Sequence, residues 1–321
     1  MTVLVTGGSG LVGSHVIVAL RAAGRPVRAL VREGSRDAVT ALGAEAAIGD
    51  VTDEGAWRRA TMGVRGIVHA AALVQQRAGY AEYARVNVGG TRLAVAAARA
   101  AGAPLVHISS VAVYGGSTVY RNDHTRRDET YPFQPLPPDD VYASTKRAAE
   151  EVVRLAASDG RLAVIALRPN VIYGERDRLF TPRLLTAARF GWAPAIGPGT
   201  NHLSCVYAGN VAAAAVAALD AARPGFRAYN VTNDKPPAIT ERAFVAAFGA
   251  ALGKRVRRVP IPRIALRAFL TVTRGRRLGR GGVAFLTGEN PYVSDLIQRE
   301  LAWEPPFTTG AAVQRTLKDV G

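Results

Sequence analysis

Apolar positions in the first half of the chain follow two alternating periods. Short β-branched or apolar runs predict strands at Thr2–Thr6, Val27–Val31, Glu45–Ile48, Gly66–Ala70, Leu105–Ser109 and Leu162–Leu167. Between them, Ala-rich stretches with helical spacing predict helices over 11–23, 36–42, 53–61, 82–101 and 140–158. Strand and helix in regular alternation predict βαβ units, hence an α/β, doubly wound parallel sheet covered on both faces. The rhythm then breaks. Pro and Gly become frequent, and the expected division is 1–171 for the sheet domain and 172–321 for a smaller, discontinuous one. Segment 206–232 again reads as helix then strand and is expected to return to the sheet.

Composition narrows the class. The 321 residues are 48% apolar and 21% charged, an ordinary globular balance that excludes disorder as the main state. Cys205 is the single cysteine, so neither an intramolecular disulfide nor a Cys-based zinc site is possible. The five His residues show no ligand spacing, and no metal is expected. The start, Val3-Leu4-Val5 leading into glycines, does not resemble a signal peptide, and a cytoplasmic protein is expected. The formal charge of +16 comes almost wholly from Arg, and by itself does not indicate nucleic acid.

The first strand runs into Gly7-Gly8-Ser9-Gly10-Leu11-Val12-Gly13 and then a helix. Glycines 7, 10 and 13 at a strand-to-helix junction suit a tight turn, close backbone approach to a pyrophosphate and close helix packing. The helix start at Leu11, Val12 and Gly13 supplies N–H donors and a partial positive charge. The reading is a dinucleotide site in a Rossmann unit. The second strand ends at Val31 and presents Arg32, with Arg36 just beyond. Arg pairs well with a 2′-phosphate, so NADP(H) is favoured over NAD(H). The competing reading gives the ribose to Glu33.

Tyr142 and Lys146, one helical turn apart in Tyr142-Ala143-Ser144-Thr145-Lys146, share a helix face. The ammonium is expected to lower the phenol from its reference of about 10. Reaching pH 7 takes roughly three units, on the order of 4 kcal/mol. A Tyr so tuned exchanges a proton with a carbonyl or hydroxyl oxygen during hydride transfer. Ser109 and Ser110 close a strand at the carboxyl edge of the sheet, where a hydroxyl can bind the reacting oxygen.

Seven ordered segments carry a family resemblance: TGGSGLVG (6–13), GDVTD (49–53), HAAA (69–72), VNVGGT (86–91), SSVAVYG (109–115), YASTK (142–146) and RPNVIYG (168–174). The chain resembles an extended short-chain dehydrogenase/reductase, of the NAD-dependent epimerase/dehydratase family. The resemblance implies Tyr142 as general acid/base, Lys146 on the nicotinamide ribose, Ser110 as the substrate-orienting hydroxyl and Asn87 in the proton relay. It also implies Asp50 and Val51 at the adenine, Ala70, Ala71 and Ala72 along the cofactor, and Pro169 and Val171 at the carboxamide. Val111-Ala112 replaces the Asp-Glu pair of the sugar-nucleotide dehydratases, and Leu203 stands where the epimerases carry a diphosphate-binding Arg. The first departure argues against dehydratase chemistry. The apolar residue at 203 is similar to the 3β-hydroxysteroid dehydrogenase and dihydroflavonol reductase branches, and VRALVREGS (27–35) is similar to the NADPH-using reductases.

The implied activity is an NADPH-dependent reductase, or reverse dehydrogenase, of a ketone or alcohol on a mostly apolar small molecule. A sugar-nucleotide epimerase with tightly bound NAD, or a non-catalytic NADP-binding sensor, are the alternatives. Between Arg242 and Gly288 lie eleven basic residues and no acidic one, while the rest of the chain balances at 30 to 25. This segment is expected either to be a solvated Arg-rich face or to make weak contact with an anionic membrane or carrier. No aromatic interleaving supports nucleic acid there. Segment 116–140, with Arg121, Arg126 and Arg127, is expected to form a substrate-side loop, and helices 82–101 and 140–158 are expected to pair in a homodimer.

Overall fold

The structure is a computed structural model that describes residues 1–74, 78–115, 126–262 and 287–318. Seven parallel strands form the central sheet: β1 (Thr2–Thr6), β2 (Val27–Val31), β3 (Glu45–Ile48), β4 (Val64–His69), β5 (Leu105–Ile108), β6 (Ala163–Pro169) and β10 (Gly225–Val231). Their spatial order is β10-β6-β5-β4-β1-β2-β3. The chain therefore winds outward from β1 in one direction and from β4 in the other. That reversal opens a crevice at the carboxyl ends of β1 and β4, where doubly wound sheets bind ligands.

Helices cover both faces because the strands are apolar on both. On one side α1 (Leu11–Ala22) and α8 (Ala208–Asp220) pack with Val16, Ile17, Leu20, Val211 and Ala215 buried against Val5, Val68 and Val106. On the other, α3 (Glu54–Ala60), α5 (Gly90–Ala101) and α6 (Val141–Ala156) bury Trp57, Ala94, Ala98 and Val153 against Leu4, Ile67 and Val164. The short α2 (Arg36–Thr40) leads into β3, and Val39 anchors it in the core.

The sequence pattern predicted one helix over 82–101. The structure instead has α4 (Tyr80–Tyr83), a turn of π-helix over Ala84–Gly89, and then α5. Gly89-Gly90 lowers the cost of the widened turn, and such insertions cluster at functional sites. Asn87 sits in it.

Beyond β6, β7 (Val171–Tyr173) pairs with β9 (Cys205–Tyr207), and β8 (Trp192–Ala195) pairs with β11 (Arg257–Pro260). Helices α7 (Thr181–Phe190), α9 (Glu241–Ala251) and α11 (Thr309–Lys318) enclose an aromatic core of Tyr173, Tyr207, Phe244 and Phe248. Helix α10 (Asp295–Leu301) packs Ile297 beneath β10. Asp234, buried among them, accepts from the Tyr173 hydroxyl at 2.5 Å, the Tyr207 amide at 2.7 Å and Thr309 Oγ1 at 2.9 Å. No helix among the described residues is long and apolar enough to cross a membrane.

The Arg residues of segment 116–140 are placed as follows. Arg127 is 1% exposed, with its guanidinium 4.8 Å from the Tyr131 ring centroid and 6.0 Å from that of Tyr292. Arg126 pairs with Asp295 at 2.6 Å, and Arg121 lies outside the described residues. The basic stretch is not wholly without acidic partners either, because Arg258 pairs with Glu241, just before it, at 2.5 Å. Arg263, Arg267, Arg274, Arg276, Arg277 and Arg280 lie outside the described residues.

Candidate active site

The glycine loop is shaped by backbone contacts that leave no room for side chains. Gly7 has φ +69°, and a Cβ there would lie 2.8 Å from the Ala71 amide nitrogen. At Gly13 a Cβ would lie 2.2 Å from the Gly7 carbonyl oxygen. The Gly10 amide donates to that carbonyl at 2.9 Å, which closes the turn. Gly10 then caps α1 with no side-chain bond, and no acidic residue occupies the first turn. The amides of Leu11, Val12 and Gly13 have no carbonyl one turn back to receive them, so the positive end of α1 is presented to an anion.

The β4 end lies across this loop. Ala71 donates its amide to Thr6 Oγ1 at 3.2 Å, and Thr6 Oγ1 meets His69 Nδ1 at 2.8 Å, which fixes the course of Ala70-Ala71-Ala72 over the crevice. At the end of β3, Asp50 accepts from the Thr52 amide at 2.9 Å and from its hydroxyl at 2.8 Å. Burial works against the Asp50 carboxylate, but the Thr52 donors and the charges of Arg32 and Arg85 hold it below its ordinary range. Trp57 Nε1 donates to the Val51 carbonyl at 2.8 Å and fixes that residue. After β2, Arg36 grips both oxygens of Glu33 at 2.8 and 3.0 Å. Glu33, the competitor for the ribose, is thus engaged, and Arg36 is its partner.

Helix α6 is started by Asp140, whose carboxylate accepts from the Ala143 amide at 3.0 Å. That cap puts Tyr142 in the first turn, near Ser110 at the end of β5, whose side chain favours ionisation of the phenol. Ser110 Oγ also accepts from Ala112 at 3.2 Å. One turn on, Lys146 is 4% exposed and donates to the Ile108 carbonyl at 2.5 Å. Asn87 reaches in from the π-turn. Its Oδ1 accepts from Leu73 at 2.7 Å and its Nδ2 donates to Thr145 Oγ1 at 3.1 Å, between Tyr142 and Lys146. Four residues from three separate segments converge here. Pro169 closes β6 beside this group, and Val171, paired with Cys205, opens β7.

The electrostatics differ from the expectation of a lowered phenol. Burial pushes Tyr142 up to about 12, and Asp140 and Tyr83 push the same way against the opposing effect of Ser110. The Lys146 ammonium is drawn instead to the Ile108 carbonyl, and burial brings it down to about 8 while Glu150 opposes. His69 and His107 stack behind it with centroids 5.7 Å apart. Burial, then the Lys146 charge, takes His69 down to about 3, so both rings stay neutral at pH 7.

Several residues of the site carry no expectation from sequence. Glu150, 3% exposed, accepts from Ser109 Oγ at 2.5 Å and from Arg168, whose Nη1 donates in turn to the Tyr114 hydroxyl at 2.8 Å. The chain continues to Asn230 on β10 at 3.0 Å. Glu150 follows Lys146 by one turn, which was its available signal. Arg176, 162 positions from its partner, donates to Ser14 Oγ at 2.9 Å on α1. Nothing in the local pattern announces that contact.

The 3-beta hydroxysteroid dehydrogenase/isomerase family model matches residues 4–262. The chain belongs to that family. It is an oxidoreductase of the short-chain dehydrogenase/reductase type, with the Rossmann α/β architecture. Among its relatives is the 2-alkyl-3-oxoalkanoate reductase of Stenotrophomonas maltophilia (strain K279a), 34% identical over 78% of this chain and 76% of that one. The 4-hydroxy-2-methyl-3-oxo-4-farnesyl-3,4-dihydroquinoline-1-oxide ketoreductase of Stigmatella aurantiaca is 36% identical over 74% and 69%. The N-acetyl-alpha-D-glucosaminyl-diphospho-ditrans,octacis-undecaprenol 4-epimerase of Escherichia coli O157:H7 is 34% identical over 67% and 63%. The crystal structure of gox2253 superposes with a TM-score of 0.79, 26% identical over 99% of this chain and 97% of that one.

Proposed function

We propose that this oxidoreductase reduces a ketone on a mostly apolar small molecule with hydride from NADPH. The observation that carries the reading is the convergence of Ser110, Tyr142 and Lys146 at the mouth of the crevice, beside the glycine loop. When bound, NADPH would supply the hydride from C4 of its nicotinamide. Leu11, Val12 and Gly13 would hold the pyrophosphate, Asp50 and Val51 the adenine, and Arg32 the 2′-phosphate. Ala70 to Ala72, Pro169 and Val171 would line the nicotinamide half, and Lys146 would bind its ribose. Ser110 orients the carbonyl oxygen. Tyr142 is held protonated at neutral pH, so it starts as the donor that a reduction needs.

An apolar substrate is supported by Leu203, which packs into the aromatic core and stands where the epimerases carry a diphosphate-binding Arg. Two reductase relatives, whose names describe alkyl- and farnesyl-bearing 3-oxo compounds, point the same way. The 4-epimerase relative favours a second reading, in which the same residues return the hydride to a sugar and no net cofactor is consumed. The deciding experiment is NADPH consumption across a ketone panel, repeated with Tyr142→Phe. Turnover lost in the variant is expected, and undiminished turnover would sink the mechanism. Net NADPH loss also excludes the epimerase.

The reading includes a homodimer through α5 and α6, on which Leu155 presents 55% of its surface. Sedimentation equilibrium of the wild type beside Leu155→Glu tests it.

A further inference from the structure

Leu11 and Val12 share one peptide plane, so whatever holds the Leu11 carbonyl also aims the Val12 N–H, which points the opposite way. Two side chains of α1 reach back to that carbonyl. Ser14 Oγ donates to it at 3.0 Å, and His15 Nδ1 lies 2.8 Å from it. Ser14 and His15 are 1% and 5% exposed, so little water competes for either bond. Donors drawn to a carbonyl also polarise its peptide and strengthen the N–H on the far side.

Each of these side chains is held in turn by one of two consecutive residues that follow β7. Glu175 Oε2 lies 3.1 Å from His15 Nε2, and Arg176 Nε donates to Ser14 Oγ at 2.9 Å. Arg176 Nη2 is 3.4 Å from both nitrogens of the His15 ring, so the two contacts form one cluster. The Tyr207 hydroxyl, at the end of β9, lies 2.8 Å from both Glu175 oxygens and fixes the carboxylate. Arg176 has φ +65°, a left-handed conformation that only Ala302 shares among the described non-glycine residues. Backbone strain of that kind persists where the surroundings hold it, and it collects at functional sites.

We propose that Glu175 and Arg176 are positioning residues for the cofactor. Through His15 and Ser14 they orient and polarise the Val12 N–H, one of the amides that would meet the pyrophosphate. They closely follow Pro169 and Val171, which would line the nicotinamide half. One short stretch of chain thus sets two separate points of contact with the dinucleotide. The inference rests on the reading that the start of α1 holds the pyrophosphate, and it applies to NADPH and NADH alike.

The test is fluorescence titration of the full chain with NADPH, with melting temperatures measured beside it. Arg176→Gly removes the guanidinium and suits φ +65°, so Kd should rise about fivefold, the worth of one hydrogen bond, while the melting temperature holds or rises. Ser14→Ala should lose at least as much, and adding Arg176→Gly to it should cost nothing more, because Arg176 acts through Ser14. Glu175→Gln keeps an acceptor oxygen toward His15 and Tyr207 and should lose no more than about twofold, whereas Glu175→Met, which has none, should lose about tenfold. In turnover the loss should appear in KM for NADPH rather than in kcat. The proposal is overturned if the Ser14 and Arg176 effects multiply, if the two Glu175 variants lose equally, or if affinity falls only in step with the melting temperature. Unchanged affinity in Arg176→Gly beside a loss in Gly13→Ala overturns the positioning alone. Unchanged affinity in both removes the pyrophosphate from α1 and the proposal with it.

Discussion

Glu150 and Arg168 meet inside the protein, with Arg168 Nη2 2.5 Å from Glu150 Oε1 and side chains only 4% and 6% exposed. The pair ties α6, which carries Tyr142 and Lys146, to the end of β6. Removing one partner leaves the other charge buried and uncompensated, which costs roughly 3–5 kcal/mol. Arg168→Leu is expected to lose about that much in urea denaturation. Adding Glu150→Leu should recover most of it, since two apolar residues leave no unpaired charge. A double variant no better than the single would show that the two are not coupled.

Legibility followed the range of the interactions. The strands and helices of the sheet could be read because each buries a local period of apolar residues. The glycine loop could be read because Gly10 and Gly13 are constrained by atoms of the loop itself, although Gly7 is held by Ala70 and Ala71. Tyr142 and Lys146 are one turn apart, so their shared face was readable too. Their ionisation was not, because it depends on burial and on the Ile108 carbonyl from β5. The π-turn at Asn87 was hidden because its residues still show helical spacing. Arg127 could be read only as part of a loop, because its burial depends on the Tyr131 ring and on Tyr292, which comes from a distant segment. Glu150 could have been paired with Lys146 by spacing, but nothing local identifies Arg168 as its partner.

Lys146 sets a pH limit. Burial penalises its ammonium and brings it to about 8, and the cation is the form that would hold the ribose hydroxyls. The cationic form is complete below that value and is lost as pH rises through it. kcat/KM for NADPH should therefore fall above about pH 8. Glu150, which favours the cation, is neutralised in Glu150→Gln, and the alkaline limb should move to lower pH. An unmoved limb would assign it to another group.

Cofactor choice should rest on Arg32. Glu33 is committed to Arg36, which leaves the end of β2 to present a cation. A charge-assisted bond to a 2′-phosphate contributes about 1.5–3 kcal/mol, roughly tenfold to a hundredfold in affinity. Arg32→Ala should raise KM for NADPH by that factor and leave KM for NADH nearly unchanged. Equal effects on both would remove the 2′-phosphate from the account.

Gly13 offers the sharpest test of the anion site. A methyl group there would lie 2.2 Å from the Gly7 carbonyl oxygen and 3.0 Å from the Gly8 Cα, both backbone atoms that cannot rotate away. Relief requires α1 to move off the loop, and with it the amides of Leu11, Val12 and Gly13. Gly13→Ala is expected to lower NADPH affinity by at least about a hundredfold, the worth of a few displaced charge-assisted bonds. Gly34→Ala is the control, since a Cβ at that position meets nothing within 4 Å. Fluorescence titration with NADPH reads both variants, and the melting temperature separates a shifted helix from an unfolded chain. If Gly13→Ala bound NADPH as well as Gly34→Ala does, the pyrophosphate would have to sit somewhere other than the start of α1.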